Sequence, residues 1–293
     1  MALLSVAEAL TLILKDAAPT GPEPVGLMDA PGRVLAASLS ATLTQPPFDA
    51  SAMDGYAVRL ADVERLPARL HVIGEAAAGH GFRGRVEPGQ AVRIFTGAPV
   101  PSGADAIVIQ ENAVREGADV VVREGTPEKG HIRPRGFDFN EGQQLLAAGT
   151  RLETRQITLA AAMGHGQLPV RRQPSVAILA TGDELVEPGT RPGPDQIVCS
   201  NSYGIATMVR AAGGVARIIG IARDTRADLD ARLREGADAD VLVTIGGASV
   251  GDHDLIAPAL QDRGVVLDFW KIAMRPGKPL MFGRHGRQRV LGL

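Results

Sequence analysis

The chain has 293 residues, enough for two or three domains with large buried cores. Its 31 basic and 33 acidic side chains leave a formal charge of −2, with no basic tract and no interleaved aromatic platform, which argues against nucleic-acid binding. Cys199 is the single cysteine, so an internal disulfide framework is excluded, a cysteine-based metal cluster is disfavoured, and a reducing, cytoplasmic location is expected.

The opening stretch, MALLSVAEALTLILKDA, is apolar enough to suggest a signal peptide, but it has no basic segment before the apolar run and Glu8 interrupts that run. Ser5 and Glu8 have capping-box spacing, and Leu10, Leu12, Ile13 and Leu14 follow in a mostly helical pattern, so an amphipathic helix is predicted. No run approaches the roughly 18 apolar residues that span a membrane. From Thr44 to Phe48 the chain turns proline-rich. From there to about His131, short strand candidates (Leu70 to Ile73, Ala91 to Phe95, Ala106 to Gln110, Val120 to Arg123) are separated by glycine and proline, which predicts a small all-β domain. Residues 149 to 166, containing ITLAAAMG, return to a helical pattern. The β region therefore reads as an insertion at 46–133 in a domain made of 1–45 and 134–172.

After Arg172 the pattern becomes βα alternation. A strand at 176 to 181 precedes a helix near 201 to 212, which Gly213 and Gly214 are suited to close. A strand at 215 to 222 leads to Asp224 and Thr225, either of which can cap the helix ADLDARLREG. A strand at 240 to 245, a helix at 253 to 263 and strand-like segments at 265 to 270, 280 to 283 and 289 to 293 complete an α/β domain at 173–293. Such alternation implies a parallel sheet with right-handed crossovers.

The chemistry concentrates where strands end. In DVLVTIGGASVGDHD, Asp240 to Asp254, an apolar strand runs into Gly246, Gly247, Ser249 and Gly251 and then Asp252 and Asp254. Glycines let backbone N–H groups converge on an anion, and the carboxylates suit a hard cation or a phosphate-bound metal. SVAILATGDEL repeats the plan, ending in Thr181, Gly182, Asp183 and Glu184. Each turn alone is equally well an ordinary βα turn in which Asp, Ser or Thr caps the next helix. Two such turns in one sheet, with a stiff basic segment KIAMRPGKP carrying Lys271, Arg275 and Lys278 downstream, favour a ligand site over solvated surface charge. Acidic donors without His or Cys select Mg²⁺ over zinc.

Three further segments stand out. PPFDASAMDGYAV (Pro46 to Val58) reads as a recognition loop on a β scaffold, or else as a turn in which Asp and Ser bond their own backbone. FTGAPVPSGADAIV places Thr96 and Gly97 after a strand. IRPRGFDFNEG joins Arg133 and Arg135 to Asp138, an arrangement equally suited to an internal ion pair. The six histidines show no metal-ligand spacing and read as structural or surface residues, and Ser249 lacks the setting of a catalytic serine.

Taken in order, FDASAMDGYAV, FTGAPVP, RPRGFD, ATGDEL, GGASVGDHD and KIAMRPGKP closely resemble the molybdopterin molybdenumtransferases, bacterial relatives of the E domain of gephyrin. The resemblance runs over essentially the whole chain. It implies a multidomain α/β fold: a three-layer α/β/α molybdopterin-binding-like domain with a mostly parallel sheet, an elongated N-terminal domain with helices, and the inserted β domain. It also implies a homodimer with a cleft shared between subunits. The implied reaction binds adenylated molybdopterin, Mg²⁺ and molybdate, releases AMP and transfers molybdenum to the dithiolene sulfurs, in concert with other proteins of molybdenum cofactor assembly.

By that similarity, Glu184, Asp224 and Asp254 fall on acidic positions tied to activity and metal binding, Asp54 and Thr96 on functional positions of the β domain, and Asp138 on an acidic position at the domain junction. Lys271, Arg275 and Lys278 fall on the basic loop linked to molybdate, with Arg275 standing where some members carry lysine. Thr181, Gly182, Gly246, Gly247, Ser249 and Gly251 are expected to hold the pterin nucleotide. In the family, Gly292 and Leu293 would continue into a Pro-Gly-Asn-Pro turn, the rest of the α/β domain and a further β domain. Two other readings are an enzyme like molybdopterin adenylyltransferase, which would not explain the β insertion, and a non-catalytic binding scaffold.

Overall fold

The computed structural model describes residues 3–126, 129–247 and 255–293. They form two compact units, one from residues 1–24, 32–36 and 169–293 and one from residues 25–31 and 37–168. The first helix, α1 (Val6–Leu14), belongs to the former and starts as the sequence predicts. The Ser5 hydroxyl accepts the Glu8 N–H, and the Glu8 carboxylate accepts the Ser5 N–H at 2.7 Å. Such a cap contributes about 1 kcal/mol. Of its apolar residues only Ala9 is buried, while Val6, Leu10 and Leu14 stay about half exposed.

The second unit is built on six strands: β1 (Gly55–Val58), β2 (Ala68–Ala76), β3 (Gln90–Ile94), β4 (Ala106–Ile109), β5 (Ala113–Glu116) and β6 (Asp119–Val122). Their order is β4-β1-β3-β2-β6-β5, with only β2 and β3 parallel. Alternate side chains feed two cores, Tyr56, Val58, Leu70 and Val108 on one face and Ala57, Val92, Ile94 and Ile107 on the other. The reading of Pro46 to Val58 as one loop needs correction at its last four residues. Gly55–Val58 is a central, fully buried strand between β3 and β4, because its small and apolar residues fit between two neighbours. The helical return is α2 (Thr154–Ala162).

The first unit contains β7 (Ser175–Thr181), α3 (Asn201–Ala211), β8 (Val215–Ala222), α4 (Arg226–Glu235), β9 (Val241–Ile245), α5 (Ile256–Asp262), β10 (Val266–Trp270), β11 (Met281–His285) and β12 (Gln288–Gly292). The sheet order is β8-β7-β9-β12-β11-β10. The expected parallel pairing holds for β8, β7, β9 and β12, whereas β12, β11 and β10 pair antiparallel. Only Gly286 and Arg287 join β11 to β12, too short a link for a crossover, and Gly286 takes φ +57 to make the hairpin.

Helices cover both faces. Leu229 and Leu233 of α4 and Ile256 and Leu260 of α5 pack with Leu179 and Leu242, while Ile205, Ala206 and Val209 of α3 pack with Ile178 and Val243. Leu179, Leu233 and Leu260 are almost completely buried, each worth about 1.5–3 kcal/mol by area removed from water. Thr225, and not Asp224, caps α4 through the Asp228 N–H, and Gly213 closes α3 at φ +89. At the amino edge of the sheet, Asp240 receives both terminal nitrogens of Arg172 (2.8 and 2.7 Å) and the Ser175 N–H and hydroxyl. The Arg172 bonds, aided by Ser175, lower its carboxyl pKa to about 2.

Candidate functional site

Parallel register decides which turns meet. Thr181 aligns with Ala222 and Ala180 with Ile245, so the turns after β7, β8 and β9 leave the sheet side by side at its carboxyl edge. Ligands bind open α/β sheets at that edge. Two successive antiparallel pairings turn β10 back to the direction of β9, with Trp270, Met281, Gly292 and Thr244 in line across the sheet. The basic segment therefore leaves from the same edge, three strands from β9, or about 14 Å at ~4.8 Å per strand.

Thr181, Gly182, Gly246 and Gly247 come together. Gly246, at φ +89, approaches the β7 end so closely that a Cβ there would lie 2.7 Å from the Thr181 carbonyl oxygen and 3.2 Å from its hydroxyl. A Cβ on Gly247, at φ +62, would lie 2.8 Å from Ile256. The Glu184 carboxylate folds over Gly182, occupying the space a side chain there would need. Beside this edge opens a cavity of about 600 Å³, lined by Thr181, Glu184 and Gly246 and by Asn201, Gly204, Ile205 and Met208 from α3. A smaller cleft of about 440 Å³ has Asp183, Glu184 and Asp195 on its wall.

The turns after β7 and β8 are clamped reciprocally. The Asp183 N–H donates to Asp224 Oδ2 and the Asp224 N–H donates to Asp183 Oδ1, each at 3.3 Å. This ties Asp224 to Asp183, the chain neighbour of Glu184, and both Glu184 and Asp224 are exposed. Among the described residues no group of three His, Cys, Asp or Glu side chains is placed to hold a metal ion. The expected third member, Asp254, lies outside the described residues, as do Ser249, Gly251 and Asp252. Glu184 and Asp224 offer only exposed oxygen donors, which fits Mg²⁺ and does not suit a soft metal.

In the basic segment, the Ile272 N–H donates to the Lys278 carbonyl and the Ala273 N–H to the Leu4 carbonyl, so the backbone is held at both ends. Arg275 and Lys278 are exposed and Lys271 half-exposed.

In the other unit, Asp54 precedes β1 and Thr96 follows β3. The structure joins them: the Thr96 N–H and hydroxyl both donate to Asp54 Oδ1 at 2.8 Å. Those two bonds, with the nearby Arg93 charge, hold the Asp54 carboxyl below its ordinary range. Arg93 stacks over Tyr56 (5.1 Å) and Phe95 (4.7 Å) and donates to the Gly55 carbonyl and Gln110 Oε1. The sequence reading did not single out Arg93. Its place opposite Tyr56 follows from strand register, which only the fold sets.

Asp138 is exposed, and its N–H donates to the Gln45 carbonyl. Its carboxylate pairs with neither Arg133 nor Arg135, so the ion-pair alternative is set aside. Asp49 takes the Arg135 N–H at 2.7 Å instead. Ser51 donates to the Met53 carbonyl, as the self-bonded turn reading expected. Arg223, also absent from the sequence reading, donates from Nη1 to the carbonyls of Asp183 and Leu185 at 3.0 and 3.3 Å.

Comparison with known proteins places this arrangement. Residues 4–164 match the model described as MoeA N-terminal region (domain I and II), and residues 177–293 match the one described as probable molybdopterin binding domain. A molybdopterin molybdenumtransferase of Nostoc sp. is 41% identical over 264 residues, covering 88% of this chain, and one of Haemophilus influenzae is 35% identical over 277 residues, covering 94%.

The chain belongs to the molybdopterin molybdenumtransferase family.

It spans 60% of the length of the Nostoc protein and 68% of the Haemophilus one. The crystal structure of the molybdopterin biosynthesis moeA protein from Pyrococcus horikoshii superimposes with a TM-score of 0.88 at 31% identity, covering all of this chain and 74% of the other. The multidomain α/β architecture is therefore that of the molybdenumtransferase family. No helix among the described residues is long and apolar enough to cross a membrane.

Proposed function

We propose that this chain carries out the molybdenum-insertion reaction: it binds adenylated molybdopterin and molybdate, releases AMP in a Mg²⁺-dependent step, and delivers molybdenum to the dithiolene sulfurs. The observation that carries this reading is the carboxyl edge of the α/β sheet in a member of this family. There the Thr181–Gly182 and Gly246–Gly247 turns lie together and the clamped Asp183–Asp224 turns present Glu184 and Asp224. The glycine turns approach the nucleotide phosphates with backbone N–H groups. Glu184 and Asp224, joined by Asp254, hold Mg²⁺, which when bound neutralises charge on the phosphoanhydride. Lys271, Arg275 and Lys278 hold the molybdate oxyanion, and Ser249 and Gly251 extend the phosphate contacts.

We further propose a cytoplasmic homodimer with a cleft shared between subunits, to which Asp54, Thr96 and Asp138 contribute, acting alongside other cofactor-assembly proteins. The three-part division into 1–45 with 134–172, 46–133 and 173–293 belongs to the same proposal. The six-stranded unit supports this reading over an adenylyltransferase, whose α/β domain has no need of it. The test is AMP release from adenylated molybdopterin by the purified chain, with Mg²⁺ and molybdate each present or omitted. Release that requires both is the expected result. Tight nucleotide binding with no release under any condition would favour the scaffold reading.

A further inference from the structure

Glu184 and Asp224 stand on exposed turns, and exposed turns do not by themselves hold two like charges in one direction. The hydrogen bonds around Arg223 supply the missing constraint. The direction in which the Glu184 side chain leaves the backbone is set by its two flanking peptide planes. The carbonyl of the first, on Asp183, accepts from Arg223 Nη1 at 3.0 Å. The carbonyl of the second, on Glu184, accepts the Ile197 N–H at 2.8 Å, and the next carbonyl, on Leu185, accepts again from Arg223 at 3.3 Å. Arg223 is itself anchored, since its N–H donates to Asp228 Oδ2 at 2.7 Å at the start of α4. Asp224 follows it directly and is locked to Asp183 by the reciprocal pair. One guanidinium thus joins the turn carrying Glu184 to the turn carrying Asp224.

We infer that Arg223 is a positioning residue, whose guanidinium holds the Glu184 turn against the Asp224 turn so that both carboxylates face one divalent cation. This rests on the proposed function of the edge. Charge and geometry predict opposite effects, which makes the inference decidable. The Arg223 guanidinium bonds the turn that carries Glu184, and Arg223 directly precedes Asp224, so removing its positive charge would, by Coulomb attraction alone, tighten cation binding. Removing a positioning contact weakens it, typically by 10- to 100-fold for groups that orient a metal's ligands.

The experiment titrates Mn²⁺ into the intact 293-residue chain, reading free Mn²⁺ by electron paramagnetic resonance, for the wild type, Arg223→Met, Arg223→Lys, Glu184→Gln and Asp224→Asn. Circular dichroism melts confirm that each variant is folded. The expected result is about 10-fold weaker Mn²⁺ binding in Arg223→Met, with partial recovery in Arg223→Lys, which can still donate to one carbonyl. In AMP release, the Mg²⁺ concentration for half-maximal rate should rise by a similar factor while the rate at saturating Mg²⁺ changes less. Unchanged or tighter Mn²⁺ binding in Arg223→Met, with Glu184→Gln still impaired, overturns the role of Arg223 and leaves the site reading standing. Binding that none of the variants alters, or none in the wild type, overturns the site reading and the inference with it.

Discussion

Gly246 and Gly213 share φ +89 in the same unit, yet their surroundings differ, and that difference makes a quantitative test of the site's packing. At Gly213 a Cβ would meet no atom within 4 Å. Gly213→Ala should therefore cost only the left-handed backbone term, about 1–2 kcal/mol. At Gly246 the same term applies, but the Cβ would also stand 2.7 Å from the Thr181 carbonyl oxygen and 3.2 Å from its hydroxyl. Thr181 is buried and its strand is paired on both sides, so the neighbour cannot swing away as a flexible side chain would. Forcing the two strand ends apart adds about 1–3 kcal/mol, the usual cost of overpacking. Gly246→Ala should thus exceed Gly213→Ala by about 1–3 kcal/mol. Urea unfolding followed by fluorescence reads this directly, because the single tryptophan, Trp270, lies in β10 of the same sheet. Equal destabilisation at matched m-values would refute the close approach of Gly246 to Thr181, and with it the shape of the proposed phosphate cradle.

Other outcomes test other parts of the molecule. Asp240→Asn should cost about 1 kcal/mol near neutral pH: the shift from 3.8 to about 2 is discounted because the side chain is 34% exposed. Because the folded carboxyl is depressed, its stabilisation is full above the unfolded value and fades as pH falls from about 4 towards 2. The variant's acid-denaturation curve should accordingly be shallower there, and an identical curve would count against the Arg172 pairing. Thr225→Ala should lower stability by about 1 kcal/mol through loss of the α4 cap, whereas Asp224→Ala, with no capping role, should leave denaturant stability nearer the wild type while abolishing AMP release. Thr96→Val removes one of the two bonds on Asp54 and should raise that carboxyl's pKa, measurable by carbon-13 NMR; an unmoved titration would contradict the pairing.

Much of the fold was legible before the structure because it depends on local rules. The Ser5–Glu8 capping box, the glycine stop at Gly213 and the apolar strands at 175–181 and 241–245 are consequences of short-range backbone chemistry, and each appears where the pattern predicts it, while of the two cap candidates Asp224 and Thr225 the structure uses Thr225. The order of six motifs was likewise enough to name the family. The strand at Gly55–Val58 was missed because a four-residue strand inside a Gly- and Asp-rich segment carries no period long enough to read. The antiparallel pairing of β11 with β12 escaped for a related reason, since it hangs on a two-residue link at Gly286.

What tertiary structure alone decided is which turns share an edge and which groups hold them there. Sequence determined that TGDE and GG follow buried strands, but not that those strands are neighbours; register did that, setting Thr181 beside Gly246 and Asp183 beside Asp224. Arg93 and Arg223 were invisible as partners for the same reason. A guanidinium reaches several ångströms to carbonyls and rings more than 30 residues away in the chain, and no local pattern encodes a contact whose two halves meet only when the sheet is assembled.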